Sequence, residues 1–254
     1  MKKGLYTIFF MTAITIFFIS ALAFVNEVSR ERVAQNQKIQ EMKSILYAFN
    51  ILPEGIDETR LSLSTTTDQL PWDEEQVLSL MEDNVKHLSI PVAGRIRDLA
   101  QNSFLVIEES LDIYVQKNEN NEIVAYGFPV KGKGLWGTIS AFAVVSADLQ
   151  RMTGIDFTEQ SETPGLGARI TESWFKYFFR NLNIEGFYEP ELNEKPIVMV
   201  ATKEKSNVEE CTNSLQAITG ATLTCNGVLN MLNTDLRFYL RLLSENEQLI
   251  QQSI

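Results

Sequence analysis

The uncharged run from Leu5 to Val25 is the strongest constraint in this sequence. It holds about 21 residues, and a helix of roughly 20 apolar residues crosses the hydrocarbon core of a bilayer. Ile, Phe and Ala dominate it, with Thr and Ser as its main polar members. Such a segment is at home in lipid or in a cleaved leader. Lys2 and Lys3 ahead of it, and Ala21-Leu22-Ala23 near its end, fit a leader. Its length exceeds the about 7–15 apolar residues of a leader's core and favours a retained anchor. Neither cysteine lies near the run, which excludes a lipoprotein anchor. Lys2 and Lys3 precede it while Arg30, Arg32, Lys38 and Lys43 follow, so the count of basic residues leaves the orientation open.

The 254 residues are 44% hydrophobic and 22% charged, enough to build a core beyond the anchor. The formal net charge of -11, with no Lys/Arg run, argues against nucleic acid as a partner. Cys211 and Cys225 form no C-x-x-C pair, and a disulfide between them and two free thiols both remain open. With a single histidine, His87, four-ligand zinc and iron–sulfur sites have almost no material, so no metal site is expected. His87 sits in a charged stretch, Met81 to His87, and reads as a solvated helix residue. Redox chemistry in this chain requires an organic cofactor.

Helical spacing of Val33, Ile39, Met42, Ile45, Leu46 and Phe49 predicts a stalk helix ended by Pro53-Glu54-Gly55. A loop through residues 62–67 leads to a second helix, Glu74 to His87, with Asp73 and Gln76 as a capping box. The period then changes. Strands are predicted at 111–116, 123–130, 138–146 and 154–158, joined by short turns. A helix at 171–180, a strand at 196–202 and a final helix from about Thr224 follow. Val228, Leu229, Leu232, Leu236, Tyr239, Leu240 and Leu243 mark the apolar face of that last helix. The expected fold is α+β: an antiparallel β-meander with packed helices, preceded by one N-terminal transmembrane helix. The expected division is an anchor at 1–25, a stalk at 26–53, a helical and loop region at 54–103, and the main domain at 104–254.

Three stretches carry chemical information. Ile218 to Gly227 combines small residues with hydroxyls at the start of a helix. Backbone N–H groups and the helix dipole make such a place an anion site, and a threonine there can be esterified by a phosphate; an ordinary Ser/Thr-rich helix cap uses the same residues. Lys131 to Gly137 is a glycine hairpin with Trp136 at its tip. Glu159 to Gly167 is a loop whose glycines let a backbone approach a ligand closely.

Together these stretches resemble one family. Gly132-Lys-Gly-Leu-Trp136, Glu159-Gln-Ser-Glu-Thr-Pro-Gly-Leu-Gly167 and Thr219-Gly-Ala-Thr-Leu-Thr-Cys-Asn-Gly-Val228, in this order, look like the NqrC subunits of the sodium-translocating NADH:quinone oxidoreductases. The resemblance covers most of the chain. It implies FMN joined by a phosphoester to Thr222, placed there by a flavin transferase from FAD. Thr219, Gly220, Ala221 and Thr224 then surround the phosphate, and Glu162, Thr163, Gly165 and Leu166 lie against the isoalloxazine. Trp136 matches the hairpin aromatic beside the ring. The implied role is an electron-carrying subunit, with the other subunits of the complex as partners. The implied location is the cytoplasmic membrane, with the soluble domain on its outer side. The RnfG subunits of Rnf complexes share the second and third motifs but usually have G-Y-G-G at the hairpin, and a His where this chain has Glu159-Gln160. A non-redox flavin-binding or assembly protein of the same fold is the alternative of another class. One departure favours it: Gln216 stands where the transferase commonly meets an Asp.

Overall fold

The structure is a computed structural model that describes residues 2–56, 61–92, 110–185, 187, 197–200 and 214–253. Cys211 and the expected boundary at 103/104 lie outside these residues. The chain divides into two compact units, 1–40 and 41–254.

Helix α1, Lys2–Ala48, contains every described residue of the first unit. From Leu5 to Val28 its large apolar side chains are exposed, Phe9 by 74%. Among the described residues it is the one helix long and apolar enough to cross a membrane. It stops earlier than Pro53, through its own carbonyls. Asn50 takes a left-handed φ of 63°, and the N–H groups of Asn50 and Ile51 donate to the carbonyls of Tyr47 and Leu46. This is a Schellman ending, which asparagine tolerates better than most residues.

The second unit is built on a six-stranded antiparallel sheet. Its strands are β1 (Val85–Pro91), β2 (Ser110–Lys117), β3 (Ile123–Lys133), β4 (Thr138–Ser146), β5 (Arg151–Glu159) and β6 (Leu182–Asn183), paired in chain order. The predicted meander is therefore present, with two strands beyond the four expected. Helix α2, Glu74–Asn84, is capped by Asp73, whose carboxylate accepts the N–H groups of Glu75 and Gln76. It ends three residues before His87, which is a strand residue and not a helix residue. His87 faces Tyr114 across the β1–β2 ladder and lies 3.0 Å from Asp112.

Period-2 alternation distributes the side chains to two faces. Phe128, Val130, Ile139, Ala141 and Val145 face a core shared with the C-terminal helices. Phe142, Val144 and Ala125 face a second core with Leu46, Phe49 and Val77. Strand β4 is buried on both sides, which explains its nearly unbroken apolar run. The C-terminal helices are α4 (Thr222–Met231) and α5 (Arg237–Glu245), joined by one π turn at Leu232–Leu236, then α6 (Glu247–Gln252). Before them come a short helix α3, Ser173–Tyr177, and a parallel pair, β7 (Val198–Val200) and β8 (Ser214–Gln216). Every residue of the predicted apolar face on 228–243 is buried except Leu229, which is half-buried.

Where α1 ends, a polar cluster is enclosed. Lys176 Nζ donates to Asp156 Oδ1 and to Thr67 Oγ1, each at 2.8 Å, and stands 3.7 Å above the Tyr47 ring. Lys176 and Asp156 are each 2% exposed. Burial pushes the Asp156 carboxyl up and the Lys176 ammonium down, each opposed by its partner's charge.

Candidate functional site

The site begins at the start of α4. The chain leaves β8, turns through Ile218–Ala221 with the Ala221 N–H on the Ile218 carbonyl at 3.1 Å, and passes Gly220 at φ 83°. Only glycine takes that φ without strain. The first intrahelical bond runs from Cys225 N–H to Ala221 O at 2.9 Å. Ala221 holds the cap position and has no side chain able to cap, so the first-turn N–H groups have neither an intrahelical partner nor a side-chain cap. This contrasts with α2 and its Asp73 cap. Cys225 is buried, and its Sγ accepts the Ile218 N–H at 3.3 Å, which pins the turn. Burial pushes its thiol up, making it a poor nucleophile.

Three threonines around this helix start meet three environments. Thr219 is exposed and lines a large groove with Gln216, Trp174 and Tyr177. Thr222 is exposed and lines a smaller cleft. Thr224 is 2% exposed, and its hydroxyl donates to Glu162 Oε2.

The Glu159–Gly167 loop supplies the opposite wall. The Thr163 carbonyl accepts the N–H groups of Leu166 and Ala168, both at 3.1 Å, and Gly165 takes φ 75°. Gln160 Oε1 accepts the Glu162 N–H at 2.7 Å. Glu162, 5% exposed, reaches inward, and its Oε1 accepts the Trp136 backbone N–H at 3.0 Å. The Trp136 indole N–H donates to Thr163 Oγ1 at 3.1 Å while the ring remains 69% exposed.

These contacts enclose a cleft of about 180 Å³. Seven of the ten predicted residues line it: Glu162, Thr163, Leu166, Gly220, Ala221, Thr222 and Thr224. Trp136 adjoins it through its two hydrogen bonds, and Gly165 shapes the loop without lining it. Thr219 lines the neighbouring groove and does not line the cleft. Leu135, Gly167 and Leu223 line it and are not among the predicted residues. Each is next in sequence to a predicted residue or inside a quoted motif, so the motifs held the signal. Gln216, the departure from the family motif, is the last residue of β8, opposite Val200.

The residues present suit an FMN. An uncapped helix start bordering the cleft offers N–H donors to a phosphate. Leu135, Leu166 and Leu223, 45%, 43% and 60% exposed, give an apolar rim for a flat ring. The cleft is smaller than the roughly 300–1,000 Å³ of sites that enclose a whole ligand, so it would leave one edge of a flavin ring in solvent.

A family model described as FMN-binding domain matches residues 134–237, the stretch that contains both walls of this cleft. Residues 134–237 are thus similar to FMN-binding domains. Curated relatives are the NqrC subunits of Na(+)-translocating NADH-quinone reductases. The protein from Yersinia pestis is 28% identical over 166 residues, covering 65% of this chain and 57% of that one. That from Vibrio vulnificus is 36% identical over 117 residues, covering 46% and 42%. The chain thus spans about half the length of the curated relatives it matches. Solved structures share the fold. NqrC of Shewanella oneidensis gives a TM-score of 0.56 at 16% identity, covering 83% of this chain and 99% of that one. The corresponding Na(+)-translocating NADH-quinone reductase subunit of Parabacteroides distasonis gives 0.52 at 20% identity, covering 82% and 96%. The resemblance inferred from the three motifs is to this same NqrC subunit, and the stretch similar to FMN-binding domains lies where the motifs do.

Proposed function

We propose that this chain is the electron-carrying subunit of a membrane NADH:quinone reductase that transports sodium, bearing one FMN as a phosphoester on Thr222. The observation that carries the reading is the uncapped first turn of α4, with the exposed Thr222 hydroxyl in a cleft rimmed by leucines. The isoalloxazine of FMN supplies one- and two-electron chemistry. The chain's own residues do the rest. First-turn N–H groups receive the phosphate, and Thr224, tied to Glu162, leaves Thr222 as the accessible hydroxyl of that turn. Trp136 and the leucine rim would hold the ring and exclude water from it, and their exposure would leave it open to other subunits of the complex. A helix without ionisable residues from Leu5 to Val25 anchors the chain and cannot itself conduct sodium. We place the soluble domain on the outer side of the cytoplasmic membrane, where a covalent tether prevents loss of flavin.

The test is Thr222→Ala, produced with a flavin transferase. In-gel flavin fluorescence should vanish while circular dichroism stays unchanged, and covalent flavin retained by that variant would defeat the assignment. Gln216 favours a second reading, a non-redox flavin-binding or assembly protein, because a neutral amide meets the transferase more weakly than a carboxylate. Flavin incorporation in wild type and Gln216→Asp separates the two. A slower wild type keeps the redox reading, and no flavin in either supports the second.

A further inference from the structure

Glu162 is an unusual buried acid. Its two oxygens accept from neutral groups on different segments, the Trp136 backbone N–H of the hairpin and the Thr224 hydroxyl in the first turn of α4. Among the described residues no cation pairs with it. Acceptor-only use of both oxygens is the hydrogen-bonding role of a carboxylate. Two glycines make room for it. A Cβ on Gly134 would strike Glu162 Oε1, and a Cβ on Gly167 would meet Thr224 Oγ1, with Glu162 Cβ at 2.9 Å. Hairpin, loop and helix start are therefore fitted around one carboxylate that also lines the cleft. An uncompensated acid at a cofactor wall costs solvation, and an amide or an apolar residue would pack as well.

We propose that Glu162 is the positioning residue of the cleft. It clamps the 134–137 hairpin to the start of α4, and it sets a fixed negative charge at the wall that disfavours added electrons on a bound flavin. The second half rests on the proposed FMN on Thr222; the first half does not. A negative charge near an electron-accepting ring lowers its reduction potential, because the reduced ring carries more electron density. Geometry and charge separate cleanly in two variants. Glu162→Gln keeps an acceptor for Trp136, and its amide can donate to the Thr224 oxygen, so the clamp survives without the charge. Glu162→Ala removes both.

The experiment uses the full chain, with and without flavin. In the flavin-free protein, tryptic cleavage after Lys133, the exposed last residue of β3 at the hairpin, should be several-fold faster in Glu162→Ala and close to wild type in Glu162→Gln. In the flavinylated protein, Glu162→Gln should shift the flavin midpoint potential to more positive values with Thr222 still fully modified. Unchanged cleavage in Glu162→Ala overturns the clamp. An unchanged potential in Glu162→Gln overturns the charge role. Absence of flavin on wild-type Thr222 defeats the proposed function and, with it, the charge role, while the cleavage rates still decide the clamp.

Discussion

Two buried acids, close together along the chain, are treated in opposite ways. Asp156, within β5, is fully enclosed where α1 ends, and a lysine neutralises it. Glu162, just past the same strand, has neutral donors and borders an open cleft. The first arrangement suits a place whose work is holding: charge is cancelled, and Ser44, Tyr47 and Thr67 close around it. The second leaves a charge to act on whatever enters. A buried acid is thus no guide to function until its partners are known.

The sharpest break in this comparison should come from Lys176→Met. It strands Asp156 without a counter-charge, and breaking a buried pair costs about 3–5 kcal/mol. Urea denaturation measures it. Combining it with Asp156→Leu should recover most of the loss, and a double variant as weak as the single would contradict the argument.

Next comes Gly154→Ala. Its Cβ would run into the Ala48 carbonyl at the end of α1, a backbone contact that cannot rotate away. A cost of about 1–3 kcal/mol is expected, read as a lower melting temperature.

A smaller effect is expected at alkaline pH on the same side of the sheet. Burial pushes Tyr114 up to about 12, helped by Glu41 and Asp112, while its ring packs on His87 and Phe142. Its unfolded value is 10.0. The unfolded chain therefore loses this proton first, and stability present below pH 10 is lost as pH rises toward 12. Stability curves of wild type and Tyr114→Phe should diverge across that window, the wild type falling faster by about 1 kcal/mol after allowance for partial exposure. Parallel curves would show that the phenol is solvated.

The smallest change in stability belongs to Glu162→Gln. With both hydrogen bonds replaceable, about 1 kcal/mol or less is expected in chemical denaturation. A loss as large as that of Lys176→Met would mean that both acids are structural and would erase the contrast.

Sequence patterns make the cleft more legible than the buried cluster. Its walls come from three short contiguous stretches, and in each the glycines, hydroxyls and aromatic stand side by side. Strand β4 is equally plain, because nine residues without a charge between two turns leave little choice. Lys176 and Asp156 give no signal, since their pairing joins a helix to a strand 20 residues away. His87 reads as helical because it closes the charged stretch from Met81, whose first residues are helical, whereas the chain turns into a strand at Val85. Strand β8 escapes the sequence reading because three residues pairing with a distant parallel partner leave no local pattern. The role of Glu162 needs coordinates. The resemblance implies only a place near a ring, and the fold alone brings Trp136 and Thr224 to its oxygens.

The order of the strands has one further consequence. Because β1 to β6 pair with their sequence neighbours, each hairpin can close as soon as its second strand emerges from N- to C-terminus. The helices that cover one face of the sheet come last, and α4 begins only at Thr222. The threonine that would take the flavin thus emerges only after all six strands of the sheet. An enzyme that recognises the finished turn would therefore act as a proofreader, loading only chains in which the helix begun at Thr222 has docked on the sheet.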